Sequence, residues 1–151
     1  MEYELIFDAL NRHLSETKSI IDQLTDEVLH EKPVNSGRSL GDVIMHLIRS
    51  IEYYSQGLAK NVWIPLTYEV TEFSTALKVK NLYNEVHTKA SNYLIEITGT
   101  NLNESYEKGN RPAKRIDVLL EMLEHSIQHR GQILVYYRLL GIEPAKIPYI
   151  I

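Results

Sequence analysis

The chain has 151 residues, so a single domain spanning residues 1–151 is the expectation. Hydrophobic residues make up 44% and charged residues 24% of it, which is typical of a globular protein and excludes a disordered or collagen-like chain. The chain has no cysteine. Disulfides, thiolate metal sites and a cysteine nucleophile are therefore excluded.

The charge and hydropathy of the chain indicate which classes of partner it lacks and where in the cell it is expected. A net charge of −4 argues against a nucleic-acid partner, because phosphate binding requires clustered Lys and Arg. The longest stretch without a charged residue covers eight residues, Asn61 to Tyr68, far short of a membrane span. The first residues are acidic where a signal peptide would be basic. We therefore expect a cytoplasmic protein without a nucleic-acid or membrane partner.

Helical periodicity dominates the chain and predicts four long amphipathic helices. They cover about residues 3–24, 40–58, 72–97 and 112–140. Ser39 is suited to cap the second helix, and Pro112 is suited to the first turn of the fourth. Gly141 follows the fourth helix as its expected C′ residue.

The connections between these helices are predicted from their turn residues and composition. Residues 61–71 contain Trp63 and Pro65 and are expected to be extended. Residues 99–111 form a polar loop with a short strand at Ser105 and Tyr106. The tail, residues 144–151, is expected to be extended and to pack against the body of the fold.

Four long helices with connections of roughly 10–15 residues predict an all-α fold, a four-helix bundle. Because two connections are long enough for crossovers, simple up-down-up-down order does not follow. The fourth helix carries apolar residues on two sides. Such a helix either lies centrally in the fold or also contacts another subunit, which predicts a homodimer through this helix.

Histidines are the strongest candidates for a functional site. His125 and His129 are four residues apart on the predicted fourth helix, so their imidazoles share a face and could bind one ion. His46 lies at the edge of the apolar face of the second helix, where it could meet a neighbouring helix. From the spacing alone, His125 and His129 could equally be a hydrogen-bonded or surface pair that binds no ion. The spacing also does not show whether His46 reaches them.

Two segments carry a resemblance to a known family. Residues 124–133 read EHSIQHRGQI and are followed by RLLG at 138–141, while residues 39–47 read SLGDVIMHL. These segments resemble the last-helix signature and the second-helix motif of the DinB/YfiT-like family, and helix order and length agree over nearly the whole chain. The resemblance implies a bundle with up-down-down-up order and a metal held by His46, His125 and His129.

The implied ligand set indicates a reaction at the metal. Three neutral nitrogen donors leave at least one coordination position open, as in catalytic sites, and they suit a divalent transition metal such as zinc, nickel or iron. The family resemblance implies transfer or isomerisation reactions that use a low-molecular-weight thiol as co-substrate. We therefore expect a metal-dependent enzyme of the thiol-transferase type that acts on a small-molecule substrate.

Two alternatives remain open. A metal-dependent hydrolase would activate water at the same position, but no carboxylate general base is evident beside the ligands in the sequence. A metal-binding, stress-associated bundle without catalytic activity is the other. No catalytic residue can be assigned from the sequence.

Four further residues are candidates for the surroundings of the site. His13 and His87 lie on apolar faces of the first and third helices, either near the metal or as hydrogen-bonded core histidines. Tyr53 and Tyr136 share helix sides with the predicted ligands and either line a pocket or pack at the edge of the core. Two arginines of the fourth helix, Arg130 and Arg138, should each either pair with an acidic residue of another helix or point at an anionic substrate.

Overall fold

The computed structural model describes residues 4–35, 37–98, 100, 102–108 and 111–148. Over these residues the chain forms five helices and a two-stranded antiparallel hairpin. The elements are α1 (Glu4–Ile21), α2 (Asp26–Leu29), α3 (Leu40–Lys60), α4 (Ala76–Thr98), β1 (Ser105–Lys108), β2 (Arg111–Lys114) and α5 (Arg115–Leu139). Within the described residues, none of these helices is long and apolar enough to cross a bilayer.

Contacts between α1 and α5 show that these two helices are parallel. The Arg130 guanidinium lies 3.1 Å from the Glu16 carboxylate. Farther along both helices, the Tyr137 hydroxyl donates a 2.8 Å hydrogen bond to the Ile20 carbonyl. The predicted pairing of Arg130 with an acidic residue of another helix is thereby confirmed.

The directions of the remaining helices follow from similar contacts. Lys89 and Glu96 of α4 pair with Glu52 and Lys60 of α3 in the same order, so α3 and α4 are parallel. His46 lies beside His125, whereas Tyr54, farther along α3, meets Glu121, which precedes His125 on α5. Helix α3 is therefore antiparallel to α5, and the bundle has the expected up-down-down-up order.

Helix α3, rather than α5, is the central helix of the core. It packs against both α4 and α5, and most of its length is buried, including Leu47, Ile48 and Ile51. Of the two alternatives predicted for α5, a central position was wrong, because its outer face is exposed in the single chain. The exposed large apolar residues of α5 are Leu120 (44%), Ile127 (46%), Val135 (52%) and Leu139 (57%).

Helix α4 begins four residues later than the periodicity predicted. The Asp26 carboxylate accepts a 2.6 Å hydrogen bond from the Ala76 N–H, and the Thr75 hydroxyl accepts one from the Lys78 N–H. These two acceptors satisfy N–H groups of the first helical turn, so the helix begins at Ala76 rather than at Glu72.

The start of α5 also differs from the prediction. Pro112 is not in the first turn of this helix but in β2, where it is paired with Glu107. The short strand predicted at Ser105 and Tyr106 is confirmed and belongs to β1. At the junction of β2 and α5, the Asp117 carboxylate accepts a 3.0 Å hydrogen bond from the Lys114 N–H. This contact caps the N-terminus of α5, so the helix begins after the hairpin and not at Pro112.

Three smaller predictions are confirmed. Ser39 caps α3, since its hydroxyl accepts a 3.1 Å hydrogen bond from the Asp42 N–H. Gly141 follows α5 with a φ of 78°, a left-handed conformation that favours glycine. The tail packs back onto the body, because the Gln23 side chain bonds to the backbone of Glu143 and Ala145. Tyr3, the predicted first residue of the first helix, lies outside the described residues.

Residues 61–75, which we call the strap, connect α3 to α4 without helix or strand, and residues 70–72 form a turn. The connection predicted over residues 61–71 is therefore four residues longer than expected. The strap is held close to α3 at Gly57, where a Cβ atom would overlap the ring of Trp63. The missing side chain at Gly57 therefore allows the indole ring to pack directly on the helix.

Gly57→Ala is expected to lower the free energy of unfolding by about 1–3 kcal/mol, because the Trp63 ring must be displaced. Gly131→Ala on α5 is the matched control, since a Cβ atom at Gly131 would meet no atom of a neighbouring element within 4 Å. That substitution should raise stability by about 0.5–1 kcal/mol through helix propensity. Urea unfolding measures the free energy of unfolding of both variants. Equal changes in the two variants would contradict the close approach of Trp63 to Gly57.

Candidate metal centre

His46, His125 and His129 converge between α3 and α5. Each offers one ring nitrogen such that the three atoms lie within 4.8 Å of one another. The ring centroids are 4.4 Å apart for His125 and His129, and 4.5 Å and 5.2 Å from His46 to His129 and His125. All three residues are half-buried. The arrangement brings together one histidine of α3 and two of α5, and it could hold one metal ion.

The environment of the group favours the neutral form of two of its imidazoles, those of His46 and His125. Burial and the neighbouring His129 and His125 lower the pKa of His46 to about 4, with smaller effects from Arg38 and Arg49. Burial also lowers the pKa of His125, again with a contribution from His129. Neutral imidazole is the form that binds a metal, so these histidines need not lose a proton at neutral pH to act as ligands.

Two further observations fit a metal in this position. The Nδ1 atom of His125 is buried and has no hydrogen-bond partner among the described residues, which is costly unless a ligand completes the site. On His129, Nδ1 lies 3.1 Å from the Gln132 Oε1 atom. A donor role of Nδ1 towards this oxygen leaves Nε2 as the free electron-pair donor of His129.

A carboxylate and a phenol that the sequence did not reveal lie next to the group. The Tyr54 hydroxyl donates a 2.7 Å hydrogen bond to the Glu121 carboxylate, and the Tyr54 ring lies 5.8 Å from the His125 ring. Burial and Glu121 raise the pKa of Tyr54, so this phenol keeps its proton. The structure thus reveals a carboxylate near the ligands that was not evident in the sequence. The spacing of Glu121, four residues before His125, was the available signal.

A cavity of about 200 Å³ adjoins the histidines on the side of the strap. Its lining residues are His46, Arg49, Ser50, Tyr53, Pro65 and Leu66. The structure thus places Tyr53 in a pocket wall next to a candidate ligand, where its ring packs against Trp63 of the strap. Among these residues Arg49 was missed, because its position on α3 gives no sign of contact with the strap.

A second, larger groove of about 700 Å³ lies between the hairpin and α5. It includes acidic residues, Asp117, Glu121 and Glu124, but none of the three histidines lines it. The candidate centre therefore lies between an acidic groove and a cavity that carries an arginine.

Three other candidate residues lie apart from the histidine group. His13 is buried against α5, with Arg130 and the Ser126 backbone near its ring. His87 lies on α4 with its ring 5.9 Å from the Tyr83 ring, and burial lowers its pKa. Tyr136 is buried, and its hydroxyl lies against Gly37.

The chain matches the model of the DinB family over residues 2–150. Among solved structures, a DinB-like protein from Bacillus subtilis, YjoA, shares 18% sequence identity over 96% of each chain, with a TM-score of 0.78. A DinB-like protein from Bacillus cereus shares 21% identity over 98% of this chain and 97% of its own, with a TM-score of 0.75. At these identities the two structures support a common fold. No curated protein matches the chain.

The family match extends over almost all of the chain, including both histidine-bearing helices. It agrees with the bundle architecture and confirms the resemblance that the two sequence motifs indicated. The chain belongs to the DinB family.

Proposed function

We propose that this protein is a metal-dependent transferase that uses a low-molecular-weight thiol, with His46, His125 and His129 as the metal ligands. The observation that carries the proposal is the donor set. Three imidazoles approach one point, no carboxylate belongs to the group, and His46 borders a cavity. Such a set leaves a coordination position for a substrate atom.

A divalent ion in this site would supply positive charge that lowers the pKa of a thiol or a water molecule. Because all three ligands are neutral, none of that charge is cancelled by the protein ligands. Imidazole donors suit zinc, nickel or iron. The chain has no cysteine, so a thiol used in the reaction must come from a small molecule.

Glu121 is suited to accept the proton that the thiol loses, and Tyr54 is hydrogen-bonded to it. The Glu121 carboxylate is exposed and can exchange protons with solvent. The Tyr54 hydroxyl donates a hydrogen bond to this carboxylate, which lies close enough to His125 to oppose in part the lowering of the pKa of that ring by burial. In this proposal Glu121 accepts the proton, while Tyr53 and Leu66 contribute apolar surface to the cavity beside His46.

The same carboxylate favours a second candidate function, a metal-dependent hydrolase. In that reaction Glu121 would accept a proton from water instead of a thiol. The requirement for an added thiol separates the two reactions. A protein that binds metal without catalysis would show neither thiol transfer nor hydrolysis.

The test uses untagged protein that is stripped with a chelator and then reloaded with zinc, nickel or iron(II). Glutathione, coenzyme A and bacillithiol are offered with 1-chloro-2,4-dinitrobenzene, so that a carbon–sulfur bond forms and chloride leaves. Metal-dependent turnover that also requires the thiol, and that falls by about 10²–10⁴-fold in Glu121→Gln, is expected. Turnover of a p-nitrophenyl ester without thiol would favour the hydrolase instead. The absence of both activities with every metal would contradict the enzymatic proposals.

We also propose that the protein is a cytoplasmic homodimer that associates through the outer face of α5. The support is the row of exposed apolar residues on that helix, from Leu120 to Leu139. Light scattering at micromolar concentrations should give the mass of two chains, and Ile127→Glu should shift it towards one. A monomer at all concentrations would contradict the dimer.

A further inference from the structure

Arg49 places a cation in the wall of the cavity that adjoins His46. The two residues are three apart on α3, so their side chains lie on the same side of the helix. The Arg49 side chain is 22% exposed. Among the described residues, no aspartate or glutamate lines this cavity. The guanidinium is therefore the charged group that a molecule in the cavity would meet.

The present partners of Arg49 belong to the strap. Its guanidinium lies 3.2 Å from the Glu69 carboxylate, and it also donates a hydrogen bond to the Tyr68 carbonyl. Because 59% of the Glu69 side chain is exposed, this ion pair is screened by solvent and weak. A carboxylate in the cavity could therefore replace Glu69 as the partner of this guanidinium, which is the more buried member of the pair.

The remaining walls are suited to a short carbon chain. Tyr53, Pro65 and Leu66 contribute apolar surface. The cavity volume of about 200 Å³ corresponds to roughly seven water molecules in the liquid. A molecule of about that number of heavy atoms matches this volume, and both His46 and Arg49 line the cavity.

We propose that this cavity binds the carboxylate of the thiol substrate through Arg49, which makes mercaptocarboxylates the preferred thiol class. The inference rests on the proposed function, because the sulfur end of the molecule is assigned to the histidine group. Arg49 is a specificity-determining residue in this assignment. It recognises the substrate and takes no part in proton transfer.

The experiment measures thiol binding to cobalt(II)-loaded protein through the sulfur-to-cobalt charge-transfer absorption. Two probes are compared, 3-mercaptopropionate and its neutral analogue 3-mercapto-1-propanol. The wild type should bind the carboxylate about 10-fold to 100-fold more tightly, as expected for a hydrogen bond between charged groups. Arg49→Gln should reduce this preference to about twofold or less, while the neutral thiol keeps its affinity.

Two further variants test whether Arg49 recognises the carboxylate of the thiol or only holds the strap in place. Glu69→Gln removes the ion pair to the strap but keeps the guanidinium, so the preference for the carboxylate should be unchanged or increased. Arg138→Gln removes a positive charge nine residues beyond His129 on α5 and should leave the preference unchanged. A loss of preference in Glu69→Gln equal to that in Arg49→Gln would overturn the inference, because Arg49 would then act only by holding the strap.

The wild-type measurement is decisive even without a folded Arg49 variant. Equal affinity for the two thiols overturns the carboxylate assignment and leaves thiol binding at the metal intact. No absorption change with either thiol overturns the assignment together with the thiol-transferase proposal.

Discussion

Replacing His129 with alanine is expected to weaken zinc binding by about a hundredfold or more. Structural zinc sites with four ligands bind with about 10–16 kcal/mol, so one ligand accounts for about 3 kcal/mol. That energy corresponds to about two orders of magnitude in the dissociation constant. Competition with a fluorescent zinc chelator at pH 7.5 measures the constants directly.

His87→Ala is the matched control for that experiment. His87 is also half-buried with a lowered pKa, but it lies on α4 next to Tyr83, apart from the histidine group. Its replacement should leave zinc affinity within about threefold of the wild type, less than 1 kcal/mol. Equal losses in both variants, or none in His129→Ala, would contradict the assignment of ligands.

Acidification is expected to destabilise the metal-free protein through His13, which is buried between α1 and α5. Burial and then the charge of Arg130 lower its pKa in the folded state to about 4, from 6.5 in the unfolded chain. Its two ring nitrogens have no hydrogen-bond partner among the described residues. The nearby Ser126 backbone favours the protonated ring, but its effect on the pKa is smaller than those of burial and of Arg130.

The direction of the effect follows from proton uptake. At pH 7.5 His13 is neutral in both states and contributes nothing to the pH dependence. Between pH 6.5 and about 4 the unfolded chain binds a proton that the folded protein does not, so stability falls as the pH falls. Each pH unit in this window contributes about 1.4 kcal/mol, and the loss approaches about 3 kcal/mol near pH 4.

His13→Leu isolates this contribution, because leucine fills similar volume without a titratable group. Urea unfolding with a chelator present gives the free energy at pH 7.5, 5.5 and 4.5 for both proteins. The variant should lose about 3 kcal/mol less than the wild type over this range. His46 and His125 titrate in both proteins and cancel in the difference. Parallel pH profiles would exclude His13 as the source.

The helical bundle could be predicted from the sequence because the patterns that indicate its helices involve residues close together in the chain. Apolar spacing and the Ser39 cap depend on residues within a few positions of each other, and so does the His125 and His129 pair. Helix order and the participation of His46 required the family resemblance, since periodicity does not determine how α3 faces α5.

The missed features depend on contacts between distant parts of the chain. The start of α4 is fixed by Asp26, which is 50 residues away from Ala76. Glu121 approaches the centre together with Tyr54, which is 67 residues away in sequence. The preference of proline for a first turn predicts a helical Pro112, but pairing with β1 decides its conformation.

Metal content is the most direct test of the central claim that three histidines of α3 and α5 hold one ion. Untagged protein is purified without chelators, beside His129→Ala, and both are analysed by plasma mass spectrometry. We predict about one zinc, nickel or iron atom per chain in the wild type and a loss of it in the variant. No stoichiometric metal in the wild type, even after reloading, would contradict the claim and reduce the three histidines to packing residues.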